Sequence, residues 1–183
     1  MRSVGQSPFH AHFFISWGLA ALLFAIPGAV ATSLFAEGSH REEHLGRDLR
    51  RGLALIGVLL LPAIALLLVL GGRLLLLFGE GYSAEGTRVL WALAPSALPV
   101  AVNVVYLGIA RVRKRLRDVV LLTGATAVGT LALGSALIPP LGILGPAVGW
   151  LISQSLVALV VAPAVLRVLR SEAPLAVAGS GAR

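Results

Sequence analysis

Cysteine is absent from this sequence, so disulfides and thiolate metal sites are excluded and the redox compartment leaves no mark. Charge is scarce as well: 13% of residues are Asp, Glu, Lys or Arg, about half the share of a soluble domain. The few acidic residues all fall outside the apolar runs, which excludes a carboxylate relay within a membrane. The Gly79–Gly86 stretch carries Glu80 and Glu85 and is followed by no Lys-Ser or Lys-Thr, so it is not a phosphate-binding loop. No nucleophile elbow surrounds a serine, and Ser153 and Ser155 have no His or acid nearby in sequence. Nor is there an internal repeat. These absences leave no catalytic residue set and no cofactor motif, and neither an enzyme nor a cofactor is expected.

What the sequence does contain is apolar surface. Hydrophobic residues make up 57% of the 183, and mean hydropathy is +0.92. A soluble core of this length could not hide so much of it. Net charge is +7 and the sequence pI is about 11.5. In a soluble protein that balance points to nucleic acid. Here the basic residues lie between apolar runs, so membrane topology and anionic lipid headgroups account for them, and no nucleic-acid partner is expected.

Residues 89–117 set the frame. Residues 89–110 carry no charge, a length that crosses a bilayer as a helix. They end in Arg111-Val-Arg-Lys-Arg-Leu-Arg117, whose Arg111, Arg113, Lys114, Arg115 and Arg117 form the densest positive cluster in the chain. Such clusters stay in the cytoplasm and determine topology. Ser7-Pro8 predicts a helix start before the first span. The expected spans are 13–35, with Pro27 kinking it, 53–70, 89–110, 119–138 and 145–165. Gly71-Gly72-Arg73 is expected to interrupt the second run before an interfacial piece at 74–78, with Arg73 snorkelling to the headgroups. Gly79–Gly86 reads as a turn, and Pro139-Pro140 as the end of the fourth span. Residues 1–170 form a single transmembrane bundle, and 171–183 an Ala/Gly/Ser-rich disordered tail.

The connecting segments alternate in charge. Arg41, Arg47, Arg50 and Arg51 follow the first span, the basic turn follows the third, and Arg167 and Arg170 follow the fifth. The fold class is therefore an all-α polytopic membrane bundle of about five helices, N-terminus outside and C-terminus cytoplasmic. The same bias counts against a secretory signal cleaved after Ala29-Val30-Ala31.

Candidate functional residues are sparse. Ser96, Pro99, Asn103 and Tyr106 share one face of the third span. An amide in hydrocarbon is costly without a partner, so that face should meet protein or a wet cavity. Ser96, Asn103, Tyr106 and Gln154, the amide of the fifth span, are the candidates for lining a substrate cavity; simple packing of Asn103 on a neighbouring helix is the alternative. Thr126, Thr130 and Gly134, spaced by four, make a small-residue stripe, and Gly145, Gly149 and Ser153 another, suited to close helix packing. His40-Arg-Glu-Glu43-His44 spells the H-x-x-E-H of inverted zinc proteases. It lacks a third ligand on its own side, and a solvated charged loop is the better reading, so no metal site is expected.

Three local patterns resemble the polysaccharide biosynthesis and lipid-linked oligosaccharide flippases of the multidrug/oligosaccharidyl-lipid/polysaccharide export superfamily. They are Ile26-Pro27 followed by the polar segment from Ser33 to Glu37, Leu77-Phe78-Gly79 with Gly81-Tyr82 and Ala84, and Leu141-Gly142 with Gly145-Pro146-Ala147 and Ser153-Gln154. Members have twelve or more spans in two similar halves, so the resemblance implies spans eight to twelve, the C-terminal part only. It implies multi-pass residence in the cell membrane and translocation of a lipid-linked oligosaccharide without covalent chemistry. It implies as partners membrane lipids and a missing N-terminal half or another membrane subunit. A drug antiporter of the same superfamily fits less well, because no span holds an Asp or Glu. A membrane scaffold or assembly subunit without transport activity is the alternative function.

Overall fold

The computed structural model describes residues 8–38, 45–77 and 79–171, and these residues are almost wholly helical. The elements are α1 (Pro8–Gly38), α2 (Leu45–Leu76), α3 (Glu80–Leu93), a single 3₁₀ turn (Ala94–Ser96), α4 (Ala97–Val112), α5 (Leu116–Leu141) and α6 (Leu144–Ser171). Five segments are long and apolar enough to cross a bilayer: Phe13–Ser33, Arg47–Leu76, Glu85–Val112, Leu116–Leu141 and Leu144–Arg170. With no water in the hydrocarbon, helices satisfy every backbone group internally, which is why this composition folds this way. Large apolar side chains face outward, such as Leu22, Val58, Leu131 and Val160, the last 79% exposed. In water such a surface would aggregate; against lipid tails it is solvated. The protein is a multi-pass membrane protein.

Several boundaries differ from the sequence expectation, each for a local reason. The second span is not 53–70 with a separate piece at 74–78: α2 runs unbroken through Gly71-Gly72-Arg73. The two glycines admit α3 instead of breaking the helix. A methyl on Gly71 would collide with the Leu90 side chain, and one on Gly72 would lie 3.2 Å from Thr87 Oγ1. Arg73 is exposed in the last turn of α2, where a cation complements the helix dipole. The turn expected over Gly79–Gly86 is helix from Glu80 onward, and just before it the Gly79 N–H donates to Leu76 O at 3.0 Å. Gly79 takes a φ of 122°, open to glycine without strain, and α3 begins one residue later.

The third span, expected at 89–110, consists of α3 and α4 joined by the 3₁₀ turn. Pro95 lacks an N–H and so removes one bond of the α-helical ladder, which here gives way to a 3₁₀ turn with the Ala97 N–H aimed at Ala94 O. The fourth, expected to stop at Pro139, continues to Leu141, because the Gly142 N–H reaches back to Ile138 O at 2.8 Å and closes the last turn. The first and fifth extend beyond 13–35 and 145–165 at both ends. Helix α1 starts at Pro8 and passes through Pro27 without a break. Ser171 closes α6, and the rest of the expected tail lies outside the described residues, as does the H-x-x-E-H motif.

Helix order and short connections make consecutive spans antiparallel. Two apolar clusters result. One joins Leu49, Ile56, Val105, Ile109, Val165 and Val168; the other joins Ala20, Leu75, Val89, Leu93, Ile143 and Ala147. The first lies toward the end where α2 begins and α4 and α6 finish; the second lies toward the opposite end. Helix α5 stands apart: it packs chiefly on α6 and most of its surface is open.

Candidate membrane cleft

The α5–α6 seam positions the site. Gly145 and Gly149 let the two backbones touch: a methyl on Gly149 would lie 2.5 Å from Gly134 N, and one on Gly145 2.6 Å from the Leu137 carbonyl carbon. The Ser153 hydroxyl donates to Thr126 O at 3.1 Å, and a methyl on Gly129 would meet the same hydroxyl at 2.6 Å. The two small-residue stripes therefore lie face to face. Lipid gives helices no hydrophobic reason to associate, so close van der Waals packing of this kind holds them.

Helix α5 packs extensively on α6 and only lightly on α4, and a cleft of about 480 Å³ lies among α1, α4, α5 and α6. Its wall includes Phe24 from α1, Asn103 and Val104 from α4, Thr126 and Thr130 from α5, and Trp150 and Gln154 from α6. The Asn103 amide nitrogen donates to Gln154 Oε1 at 2.7 Å and to Gln154 O at 3.1 Å. Both side chains are buried, at 4% and 5% exposure. The two amides singled out from the sequence thus meet across the α4–α6 contact. Three buried side-chain atoms have no hydrogen-bond partner among the described residues: Asn103 Oδ1, Thr130 Oγ1 and Trp150 Nε1.

The other two candidates lie elsewhere. The Ser96 hydroxyl is fully buried and donates to Leu93 O at 2.6 Å, which fastens the 3₁₀ turn. The Tyr106 hydroxyl donates to Asp118 Oδ2 at 3.3 Å, with Arg115 3.7 Å from the same carboxylate oxygen. Tyr106 and Asp118 line a second cleft of about 380 Å³, separated from the first by Leu122, which borders both. A third, of about 490 Å³, shares Val104 and Leu107 with the first and extends it along α4 to Arg111.

Sequence reasoning placed Thr130 only in a packing stripe and did not single out Trp150, Phe24 or Asp118. A signal existed for Trp150: it precedes Gln154 by four residues and so shares its helix face. Its ring packs edge-on against Trp17, centroids 5.0 Å apart, and lies 5.8 Å from Phe24. That aromatic group ties α1 to α6 at the edge of the cleft.

The basic residues Arg111, Arg113, Lys114, Arg115 and Arg117 surround the α4–α5 turn. Lys114 occupies the left-handed region with φ 55°, its N–H donating to Arg111 O at 3.0 Å, while the Arg115 N–H reaches Ala110 O at 2.8 Å. These two bonds form a Schellman ending for α4. The same end of the bundle holds Arg47, Arg50 and Arg51 at the start of α2 and Arg167 and Arg170 at the end of α6. Arg50 donates to Leu169 O, capping α6 from α2. Against these cations stand only Glu37, Asp48 and Asp118 among the described residues of that end. The opposite end balances Arg73 and Arg88 with Glu80 and Glu85. Among the described residues no group of three metal-binding side chains forms.

No protein-family model matches the chain, and no solved structure matches it. Over 173 residues it is 26% identical to the probable flippase AglR of Haloferax volcanii, a match that covers 91% of this chain and 36% of the relative. The chain thus spans about a third of the length of the curated relative it matches. The likeness is to a protein named as a probable flippase.

Proposed function

We propose that the chain is one bundle of a lipid-linked oligosaccharide flippase of the multidrug/oligosaccharidyl-lipid/polysaccharide export superfamily, corresponding to its C-terminal five spans. The observation that carries the reading is the similarity to a probable flippase along 91% of this chain but only 36% of the relative. Translocation moves the polar part of an amphiphile past the bilayer centre without making or breaking a covalent bond. Alternating access requires two bundles rocking about a shared cavity. The second bundle comes from sequence outside these 183 residues or from another membrane subunit. This bundle supplies one wall, with the Asn103–Gln154 pair as its polar patch.

The orientation belongs to the same proposal. The strongly basic end faces the cytoplasm, and the charge-balanced end faces outward. The test is transport. Residues 1–183 alone, expressed in a flippase-deficient strain, should insert stably yet fail to restore lipid-linked oligosaccharide export. Co-expression with the bundle that completes it should restore export. Rescue by the chain alone would overturn the half-transporter reading.

A further inference from the structure

The fourth span starts earlier than the sequence pattern suggests. Helix α5 begins at Leu116, not at 119, so Asp118 falls in its first turn, at the edge of the apolar segment Leu116–Leu141. Its carboxylate accepts from the Tyr106 hydroxyl at 3.3 Å and lies 3.7 Å from Arg115 Nη1. Asp118 and Tyr106 together border two adjoining clefts. One is the groove of about 380 Å³ along α5 and α6. The other is a recess of about 40 Å³ that Arg113 and Arg115 also line. We propose that this corner of α4, α5 and α6 binds one phospholipid with a primary-amine headgroup, taken from the leaflet at the basic end. The lipid stays in its leaflet, so the assignment rests on neither transport nor orientation.

The polar groups of this corner are accessible to a ligand. The Asp118 side chain is 33% exposed and that of Arg115 64%. Both contacts of the carboxylate are made through Oδ2, so Oδ1 is left to accept from a ligand. The Tyr106 oxygen, having given its proton to Asp118, accepts as well. A primary ammonium brings three donors and a positive charge to these acceptors. Arg115 stands beyond hydrogen-bond length from Asp118, so its fork of donors can take a phosphate. The two carbons between amine and phosphate suit a carboxylate and a guanidinium 3.7 Å apart. A choline headgroup offers the carboxylate no N–H, and its three methyl groups outsize a recess with room for about one water molecule. An anionic headgroup without an amine would set its own charge against that of Asp118.

The groove supplies the place for an acyl chain. Leu121, Ala125, Leu156, Val157 and Val160 line it, and among the described residues Asp118 is the one charged side chain on its wall. Leu121 is 69% exposed and Val160 79%, so the groove opens sideways to the bilayer. It runs from a charged corner at the helix end into apolar surface along the helices. A phospholipid standing in its leaflet has the same order, headgroup first and chains inward. The basic end as a whole favours any anionic lipid. Asp118 changes the preference at this one corner, because its carboxylate calls for a donor that an anionic headgroup lacks.

Retention of lipid by the full chain tests the site. The protein is held in micelles with an equimolar mixture of phosphatidylethanolamine, phosphatidylcholine and phosphatidylglycerol of identical acyl chains, and native mass spectrometry counts what stays bound. The expected result is one phosphatidylethanolamine, retained about tenfold over phosphatidylcholine, the effect of one charge-assisted hydrogen bond. Asp118→Asn should remove that preference while phosphatidylglycerol is held as before. Val160→Trp fills the groove at an exposed position, where the fold has little reason to change. It should lower retention of phosphatidylethanolamine by a similar factor. The thermal midpoint of each variant without added lipid should stay close to that of the parent chain.

Equal retention of phosphatidylethanolamine and phosphatidylcholine would overturn the proposal. So would phosphatidylglycerol held in preference to both, which would leave a basic surface and no amine site. A preference that survives Asp118→Asn would place the amine elsewhere and refute the corner. Should Asp118→Asn fail to fold, Val160→Trp decides alone, and undiminished retention in that variant would refute the groove. Glycerophosphoethanolamine has the headgroup and no acyl chains, so at equal concentration it should not displace the lipid. Full displacement would assign the corner to a soluble headgroup and overturn lipid binding.

Discussion

Asn103 and Gln154 show how much one amide can decide in hydrocarbon. Their 2.7 Å hydrogen bond ties α4 to α6 where both partners are buried. Gln154→Leu leaves Asn103 with no side-chain partner, and is expected to destabilise the bundle by about 1–2 kcal/mol. The double variant, Asn103→Leu with Gln154→Leu, should recover part of that loss, since no polar group is then stranded. Denaturant titration of the four members of this cycle checks it; strictly additive effects would show that the pair is not coupled. Both amides were legible in the sequence, because an amide stands out in an apolar run. Thr130 and Trp150 were not. Threonine is common in membrane helices and tryptophan is common at membrane edges, so neither is anomalous until four helices are assembled and its polar atom is found without a partner.

At the scale of elements, hydropathy announced the helices but not where they stop. Gly71-Gly72 and Pro139-Pro140 carry the signals that end helices in water, yet both pairs lie within helices here. In a bilayer no water rewards a broken backbone bond, so glycine and proline are tolerated and lose their meaning as punctuation. Pro95 is the exception, because the ladder does yield there to a 3₁₀ turn. The small-residue stripes were legible, since a period of four suits close helix packing. Gly149→Val should be among the most damaging single changes in the chain. Its first added carbon already meets backbone at Gly134, which cannot swing aside as a side chain would. The expected loss is about 1–3 kcal/mol, with α5 released from α6, measured as a fall in thermal midpoint and in cross-linking between the two helices. Gly124→Val, on the same helix pair but with open space around it, is the control expected to change little.

For the whole molecule, the asymmetry of charge is the feature that sequence and structure express together. Each basic segment was visible alone; the structure gathers them at one end through antiparallel packing and the Arg50–Leu169 bond. The chain contains no Cys, so introduced thiols report without background. Ser83→Cys, near the start of α3, is expected to react with an impermeant thiol reagent applied outside. Lys114→Cys, in the basic turn, is expected to react only after permeabilisation. The reverse pattern would refute the orientation. Replacing Arg111, Arg113, Lys114, Arg115 and Arg117 together by Gln should yield mixed labelling at both sites, because the charge bias on which the proposed orientation rests is then gone.

The α5–α6 seam also bears on the order of events during synthesis. Helix α5 packs chiefly on α6, the next helix to leave the ribosome, and only lightly on α4, which precedes it. At about 5–20 residues per second, the 28 residues of α6 take roughly 1–6 s to appear. During that interval α5 has Gly129, Gly134 and the Thr126 carbonyl facing lipid or the insertion machinery, with no stable neighbour. Insertion of α5 should therefore be provisional until α6 arrives and draws it in as a hairpin. A nascent-chain force measurement should record a second pull on α5 when α6 emerges, and Gly149→Val should abolish that pull while leaving the first one intact.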